Sequence, residues 1–158
     1  MTTSIKRRVF LKGSMAATAV GVAVGAGLLA PRAVLAAWPE EAFKSKDVAS
    51  ALKALMGGDA ASESADITVK APDIAENGAV VPITIETKMK DIESIALLSA
   101  ANPAPLVANF ALGKTADGFV STRIKMGKTG DVIAVVKAGG KMHSAKKEVK
   151  VTIGGCGG

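Results

Sequence analysis

Cysteine is nearly absent: Cys156 is the one thiol in 158 residues. That excludes an intradomain disulfide, a dithiol redox centre, a CxxCH haem attachment and a multi-cysteine zinc cluster. Histidine is as scarce. His143 is the single imidazole, and a metal site needs several ligands. It lies in the polar run Lys141-Met142-His143-Ser144 and reads as an ordinary exposed or half-buried residue. There is no tyrosine, and beyond residue 36 the aromatics are Trp38, Phe43, Phe110 and Phe119. Base stacking on aromatic side chains is therefore not available for nucleic-acid binding. No glycine-rich dinucleotide loop is present either. These gaps point away from a resident cofactor.

What is present is concentrated at the two ends. The sequence closes on Gly154-Gly155-Cys156-Gly157-Gly158. A buried cysteine packs as a small hydrophobe, but here two glycines on each side leave it no neighbouring side chain. Such a run at a terminus is expected to be a flexible arm. At about 3.3–3.6 Å per residue, Cys156 can sit about 10 Å beyond Ile153, the last residue suited to a core. The arm is little wider than bare backbone, so it fits a narrow channel. The thiolate is the nucleophile, with an ordinary pKa near 8.5. No Lys, Arg or His lies within five residues of Cys156 to lower it, so activation falls to whichever protein receives the arm.

At the other end, Arg7-Arg8-Val9-Phe10-Leu11-Lys12 matches a twin-arginine export pattern. The carrying residues are Arg7, Arg8, Phe10 and Leu11. An apolar stretch of about 16 residues follows, rich in Ala, Gly and Val and short of the roughly 20 that a membrane span requires. Val34-Leu35-Ala36 is a small-residue cleavage site, with the cut expected after Ala36 and Ala37 next best. The expected divisions are residues 1–36 as a cleaved signal, 37–153 as the domain and 154–158 as the arm. The expected location is the periplasm, with no membrane association after cleavage. The net charge of +6 changes with the cut, because five of the 20 basic residues and no acid lie in 1–36. The remaining 15 bases against 14 acids leave +1, with no basic surface for nucleic acid. Lys141, Lys146, Lys147 and Lys150 form a local cluster. It reads as a solvated strand face or an attraction for an anionic partner.

The body is one small domain. Pro39, Glu40 and Glu41 suit a helix start. Ala42, Phe43, Val48, Ala51, Leu52 and Leu55 recur at helical spacing until Gly57-Gly58. Residues 58–65 read as a polar connector. From Asp66 the period becomes two: Ile67, Val69 and Ala71, then Val81, Ile83 and Ile85, with Asn77-Gly78 as a turn. Further strands are expected over 92–98, 106–112, 119–126, 132–137 and 146–153. Seven short strands with turns between them predict an immunoglobulin-like antiparallel β-sandwich, mainly β, with a short N-terminal helix and a flexible C-terminal arm. Ile95-Ala96-Leu97-Leu98 is apolar on both faces. Either the N-terminal helix buries it, or a partner covers it.

The closing Gly-Gly-Cys-Gly-Gly, the twin-arginine leader, Asn102-Pro103-x-Pro105 and Val107-Ala108-Asn109-Phe110 together resemble the SoxY family of sulfur carriers in bacterial thiosulfate oxidation. Lys6 stands where such leaders usually have Ser or Thr. The resemblance implies a non-catalytic carrier with its sulfur attached at Cys156. Gly154, Gly155, Gly157 and Gly158 form the carrier arm. It implies a heterodimer with a SoxZ-like small β-sandwich that has no signal. It also implies transient docking to a c-type haem enzyme, a dimanganese hydrolase and a molybdenum–haem sulfane dehydrogenase. The bound species would be thiosulfate-derived adducts, beginning with a cysteine S-thiosulfonate.

A rival from another class is an exported structural β-sandwich whose tail cysteine forms an intermolecular disulfide. A thiol redox enzyme would want a second cysteine or a cationic neighbour, and neither is near Cys156. The twin-arginine route carries folded proteins, so a domain without a cofactor is expected to use it to bring along a partner. Purification of the exported protein should bring down a second, signal-less chain. A lone exported monomer would contradict this.

Overall fold

The structure is a computed structural model and describes residues 39–113 and 115–152. Helix α1 spans Glu40–Lys44 and α2 spans Val48–Met56. The sequence suggests one helical segment here, and the structure breaks it in two. The reason lies at Asp47, whose backbone is extended at φ −138° and ψ 161°. Its carboxylate accepts from Ser50 N at 2.8 Å and from Ser50 Oγ at 2.7 Å. An extended residue whose side chain binds an orphan N–H is how a helix begins, so Asp47 starts a second helix. Gly57 ends α2 with φ 81° and its N–H on Lys53 O, the left-handed cap that glycine allows.

Nine strands follow among the described residues: β1 (Ser62–Glu63), β2 (Ile67–Lys70), β3 (Ile74–Ala75), β4 (Val81–Thr87), β5 (Ile92–Ser99), β6 (Leu106–Ala111), β7 (Phe119–Ile124), β8 (Gly130–Ala138) and β9 (Lys141–Val151). The larger sheet runs β1-β9-β8-β5-β6, with β3 also on β9, and the smaller runs β2-β4-β7. The mainly β sandwich is as the sequence predicts. Two departures concern β9. It begins at Lys141, within the run read as merely polar. Gly139 and Gly140 have φ of 54° and 74°, the two positive angles of a tight hairpin turn. They let Ala138 pair with Lys141 at once. The two-residue strands β1 and β3 also pair with β9, and they do so in parallel. Pieces that short carry no legible period in the sequence.

The core lies in two layers. Between the sheets, Val81, Ile83 and Ile85 of β4 face Ile95 and Leu97 of β5, with Val132, Val136 and Val149 from β8 and β9. On the outer face of the larger sheet, Ala42, Ala51 and Leu52 of the helices cover Ala96, Leu98, Leu106 and Val135. Strand β5 is thus buried on both faces, as its unbroken apolar run requires. The helices cover its outer face, so that run needs no second chain.

The Asp47 cap has a pH signature. Hydrogen bonds from the Ser50 backbone and hydroxyl hold its carboxyl below the ordinary value of 3.8. The folded state therefore binds this proton less readily than the unfolded chain does. The cap stabilises the fold above that value, and the contribution is lost as pH falls below it. The Tm of Asp47→Ala should lie below that of the parent at neutral pH. The gap should shrink once pH falls below about 3.8. A gap that stays constant into acid would contradict the cap.

Candidate functional site

The cysteine and glycines expected to carry the chemistry, Cys156, Gly154, Gly155, Gly157 and Gly158, lie outside the described residues. So do Arg7, Arg8, Phe10 and Leu11 of the export pattern. The structure does describe the platform from which the chain leaves towards Cys156, up to Thr152.

Strand β9 pairs with β8 as far as Val149 opposite Gly130. Beyond that pair it stays held on both sides. On one side, β3 matches Lys150 with Ile74 and Val151 with Ala75. Lys150 N donates to Asp73 O at 3.0 Å and Thr152 N to Ala75 O at 3.1 Å. On the other side, a side chain replaces the missing strand: Val151 N donates to Thr129 Oγ1 at 2.9 Å. The same hydroxyl lies 3.5 Å from Val151 O, a weak second contact. The chain is therefore anchored through Thr152. Four residue steps separate Thr152 from Cys156, a reach of at most about 14 Å by covalent geometry.

Two further residues close around this root. Gly78 packs so tightly that an added Cβ would lie 2.8 Å from Val151 Cγ1 and would collide with Met126 O. Asn102 of the Asn-Pro-x-Pro segment sits in the β5–β6 loop. Its Nδ2 donates to Lys125 O at 2.8 Å, and its Oδ1 accepts from Gly127 N at 3.0 Å. The segment quoted for the family resemblance thus braces the loop that carries Thr129. On the following strand β6, Asn109 Oδ1 is buried with no hydrogen-bond partner among the described residues.

The lysines that cluster in the sequence separate in space. Lys141 stands at the hairpin end of β9, about 30 Å along an extended strand from Lys150. Lys147 donates to Ala71 O at 2.6 Å and lies 3.0 Å from Asp73, and Lys146 lies 3.9 Å from Asp131. By contrast, Lys125, Lys128 and Lys150 form no ion pair among the described residues. All three lie on segments that build the root. Ile74 and Val80, exposed by 56% and 51%, lie on segments beside it. The surface around the exit point thus carries exposed apolar side chains and three lysines, whose charge is largely offset by Glu76 and Glu148, also without an ion pair among the described residues.

A cavity of about 490 Å³ lies elsewhere. It is lined by Thr87–Ile92 and the loop before Phe119, at the opposite end of the larger sheet. No group of three His, Cys, Asp or Glu side chains fit for a metal occurs among the described residues. No described helix is long and apolar enough to cross a membrane.

The family model of sulfur oxidation protein SoxY matches residues 52–156. The chain belongs to the SoxY family. The matched stretch runs from α2 through the sandwich and the Asn102 segment to Cys156. Among solved structures, the sulfur carrier protein SoxY from Chlorobium limicola f thiosulfatophilum is 44% identical, with a TM-score of 0.60. The match covers 65% of this chain and 94% of that one. The superoxide reductase neelaredoxin from Ignicoccus hospitalis is 19% identical, with a TM-score of 0.49, over 54% of this chain and 79% of that one. Among curated proteins, none matches this chain.

Sequence reasoning passes over Thr129 and β3, and reads Gly78 as half of an ordinary turn. A threonine in a Lys-Thr-Gly-Asp stretch looks like any turn residue until β9 comes to lie beside it. For Gly78 the tight packing gives a direct check. Gly78→Ala should cost about 1–3 kcal/mol through overpacking and lower Tm. Gly113→Ala, with no heavy atom within 4 Å of the new Cβ, should leave it unchanged. Equal effects in thermal melts would contradict the close approach at the root.

Proposed function

We propose that the chain is a covalent carrier of sulfur intermediates in thiosulfate oxidation, holding them on Cys156 and presenting them to partner enzymes. The observation that carries this reading is the anchored root within a SoxY-family chain. Hydrogen bonds hold β9 through Thr152, and a lone cysteine follows four residues later among glycines. A rigid base with a short, narrow tether delivers a thiol without adding bulk around it.

The chemistry assigned to the carrier is simple. Its thiolate and one thiosulfate ion join through a sulfur–sulfur bond, giving an S-thiosulfonate and releasing two electrons. A c-type haem enzyme is the acceptor of those electrons. Water then splits the terminal S–S bond. Sulfate and two protons leave, and a persulfide anion remains on Cys156. A dimanganese hydrolase catalyses that step. A molybdenum–haem dehydrogenase, where present, oxidises the remaining sulfur. The carrier brings no catalytic group to these steps. Its own part is a thiol that is reached easily and activated by the receiving enzyme.

The same reading assigns residues 1–36, with Arg7 and Arg8, to twin-arginine export and places the protein in the periplasm. It also gives it a SoxZ-like β-sandwich partner. The exposed Ile74 and Val80 beside the root suit contact with other proteins. An intermolecular disulfide at Cys156 remains the rival chemistry, and experiment separates the two.

Intact mass of the protein from thiosulfate-grown cells should show thiosulfonate or persulfide adducts on Cys156 that reductant removes. Cys156→Ser should abolish thiosulfate oxidation in a strain lacking paralogues. Gly155→Val or Gly157→Val should slow turnover while leaving Tm and partner binding intact. A stable disulfide to another chain as the sole modification, or full activity in Cys156→Ser, would overturn the carrier reading.

A further inference from the structure

We propose that Thr129 and Asn102 are positioning residues for the carrier arm: Thr129 fixes where the free tether begins, and Asn102 fixes Thr129. This inference rests on the carrier reading for its meaning in turnover, but its structural half stands apart from that reading.

At the end of β9 the regular ladder runs out. Gly130 is the last residue of β8 to face it, opposite Val149. From there the chain of the β7–β8 loop turns towards the smaller sheet. Val151 would then have an unmet backbone N–H on that side, and unmet polar groups loosen a strand end. The Thr129 hydroxyl takes the place of a strand carbonyl, accepting from Val151 N at 2.9 Å. The clasp reaches two residues past the last backbone pair, to the point where β3 also ends its hold.

Thr129 is itself exposed and in a loop, so its place must be fixed by something else. Asn102 supplies this. Its carboxamide uses one end as donor to Lys125 O and the other as acceptor from Gly127 N. Asp lacks the donor, and Leu lacks both. The β5–β6 loop that presents Asn102 is stiff. Pro103 and Pro105 fix their own φ and restrict the residues before them. Ser99 N donates to Pro105 O at 2.8 Å, Asn102 N to Ser99 O at 3.1 Å and Ala100 N to Asp131 O at 2.9 Å. Gly130 lies so close to Ala101 that an added Cβ would sit 2.7 Å from the alanine methyl. Contacts therefore run without a gap from the Asn-Pro-x-Pro loop, through residues 125–130, to Val151.

The consequence for a tether can be sized. With the root held, four residue steps lead from Thr152 to Cys156. If Thr129 lets go, β3 still holds one edge through Lys150 N and Thr152 N. Full fraying of that one-sided end to its last β8 pair would leave seven steps from Val149 to Cys156. The effective concentration of a tethered group falls roughly as the −3/2 power of tether length, so this change dilutes the thiol about twofold. It also removes the fixed direction of departure. The loss should appear in KM for the carrier, because encounter is weakened while the chemistry within the enzyme is unchanged.

The test uses the full mature protein with Thr129→Val, which keeps the branched shape without the hydroxyl, and Thr129→Ser, which keeps the hydroxyl. A nitroxide attached to Cys156 should give narrower spectral lines in Thr129→Val than in the parent, with Thr129→Ser restoring the parent spectrum. With the thiosulfate-coupling haem enzyme, Thr129→Val should raise KM for the carrier, by up to about twofold, and leave kcat unchanged. Asn102→Asp should shift both readouts the same way. If it fails to fold, the Thr129 pair decides alone. Parent-like spectra and KM in Thr129→Val, or a Thr129→Ser protein that behaves like Thr129→Val, would overturn the proposal. Activity that survives Cys156→Ser would overturn the carrier reading itself. An inactive Cys156→Ser with a silent Thr129→Val would overturn the positioning role alone.

Discussion

Strand β5 buried on both faces is the constraint on which the rest of the structure depends. Ile95 and Leu97 enter the space between the sheets, while Ala96 and Leu98 enter the space under the helices. Exposing either face would put a run of aliphatic side chains in water at about 25 cal/mol per Å² of apolar area. The sandwich and the helical layer are two answers to the same run. Once both are in place, β8 lies against one edge of β5 and β9 lies against β8. The end of β9 thus inherits its position from the core.

The site is made at the place where that order stops. Strand β9 outlasts β8, and its last residues depend on pieces brought from elsewhere. Lys147 draws the Ala71–Asp73 stretch against β9 through Ala71 O and Asp73. That sets β3 beside Lys150 and Val151 on one edge. Its ion pair is a surface one and worth little alone, but the backbone carbonyl it holds is local and directional. Thr129 closes the opposite edge. A carrier of the proposed kind needs this combination, because a tether delivers its cargo well only when one end is still.

The membership in the SoxY family and the geometry of the root support each other without overlapping. The family match covers the Asn102 segment without saying what Asn102 does. The hydrogen bonds show it, with both ends of one carboxamide holding the loop beside the exit point. The lysines tell the opposite story. Four that look like one cluster in the sequence are spread along a strand, since an extended chain moves them about 3.3 Å apart per residue. The unpaired cations at the root come instead from two different segments.

The sequence by itself determined the sandwich and its longer strands, though not the two-residue β1 and β3 or the start of β9. Alternation at Val81, Ile83 and Ile85 and the two-faced run at residues 95–98 are local patterns with a direct cost if ignored. It also set the lone cysteine among glycines in one short stretch, where it is legible without any fold. Two things needed the tertiary structure. The break between α1 and α2 depends on the Asp47 carboxylate turning onto Ser50, a choice that competes with continuing the first helix. The clasp at Val151 joins residues 22 positions apart, and the brace at Asn102 spans 23 to Lys125 and 25 to Gly127. A single threonine or asparagine in a turn has no periodicity to betray it. Its partner is fixed only when the sheets close and set the end of β9 beside the β7–β8 loop.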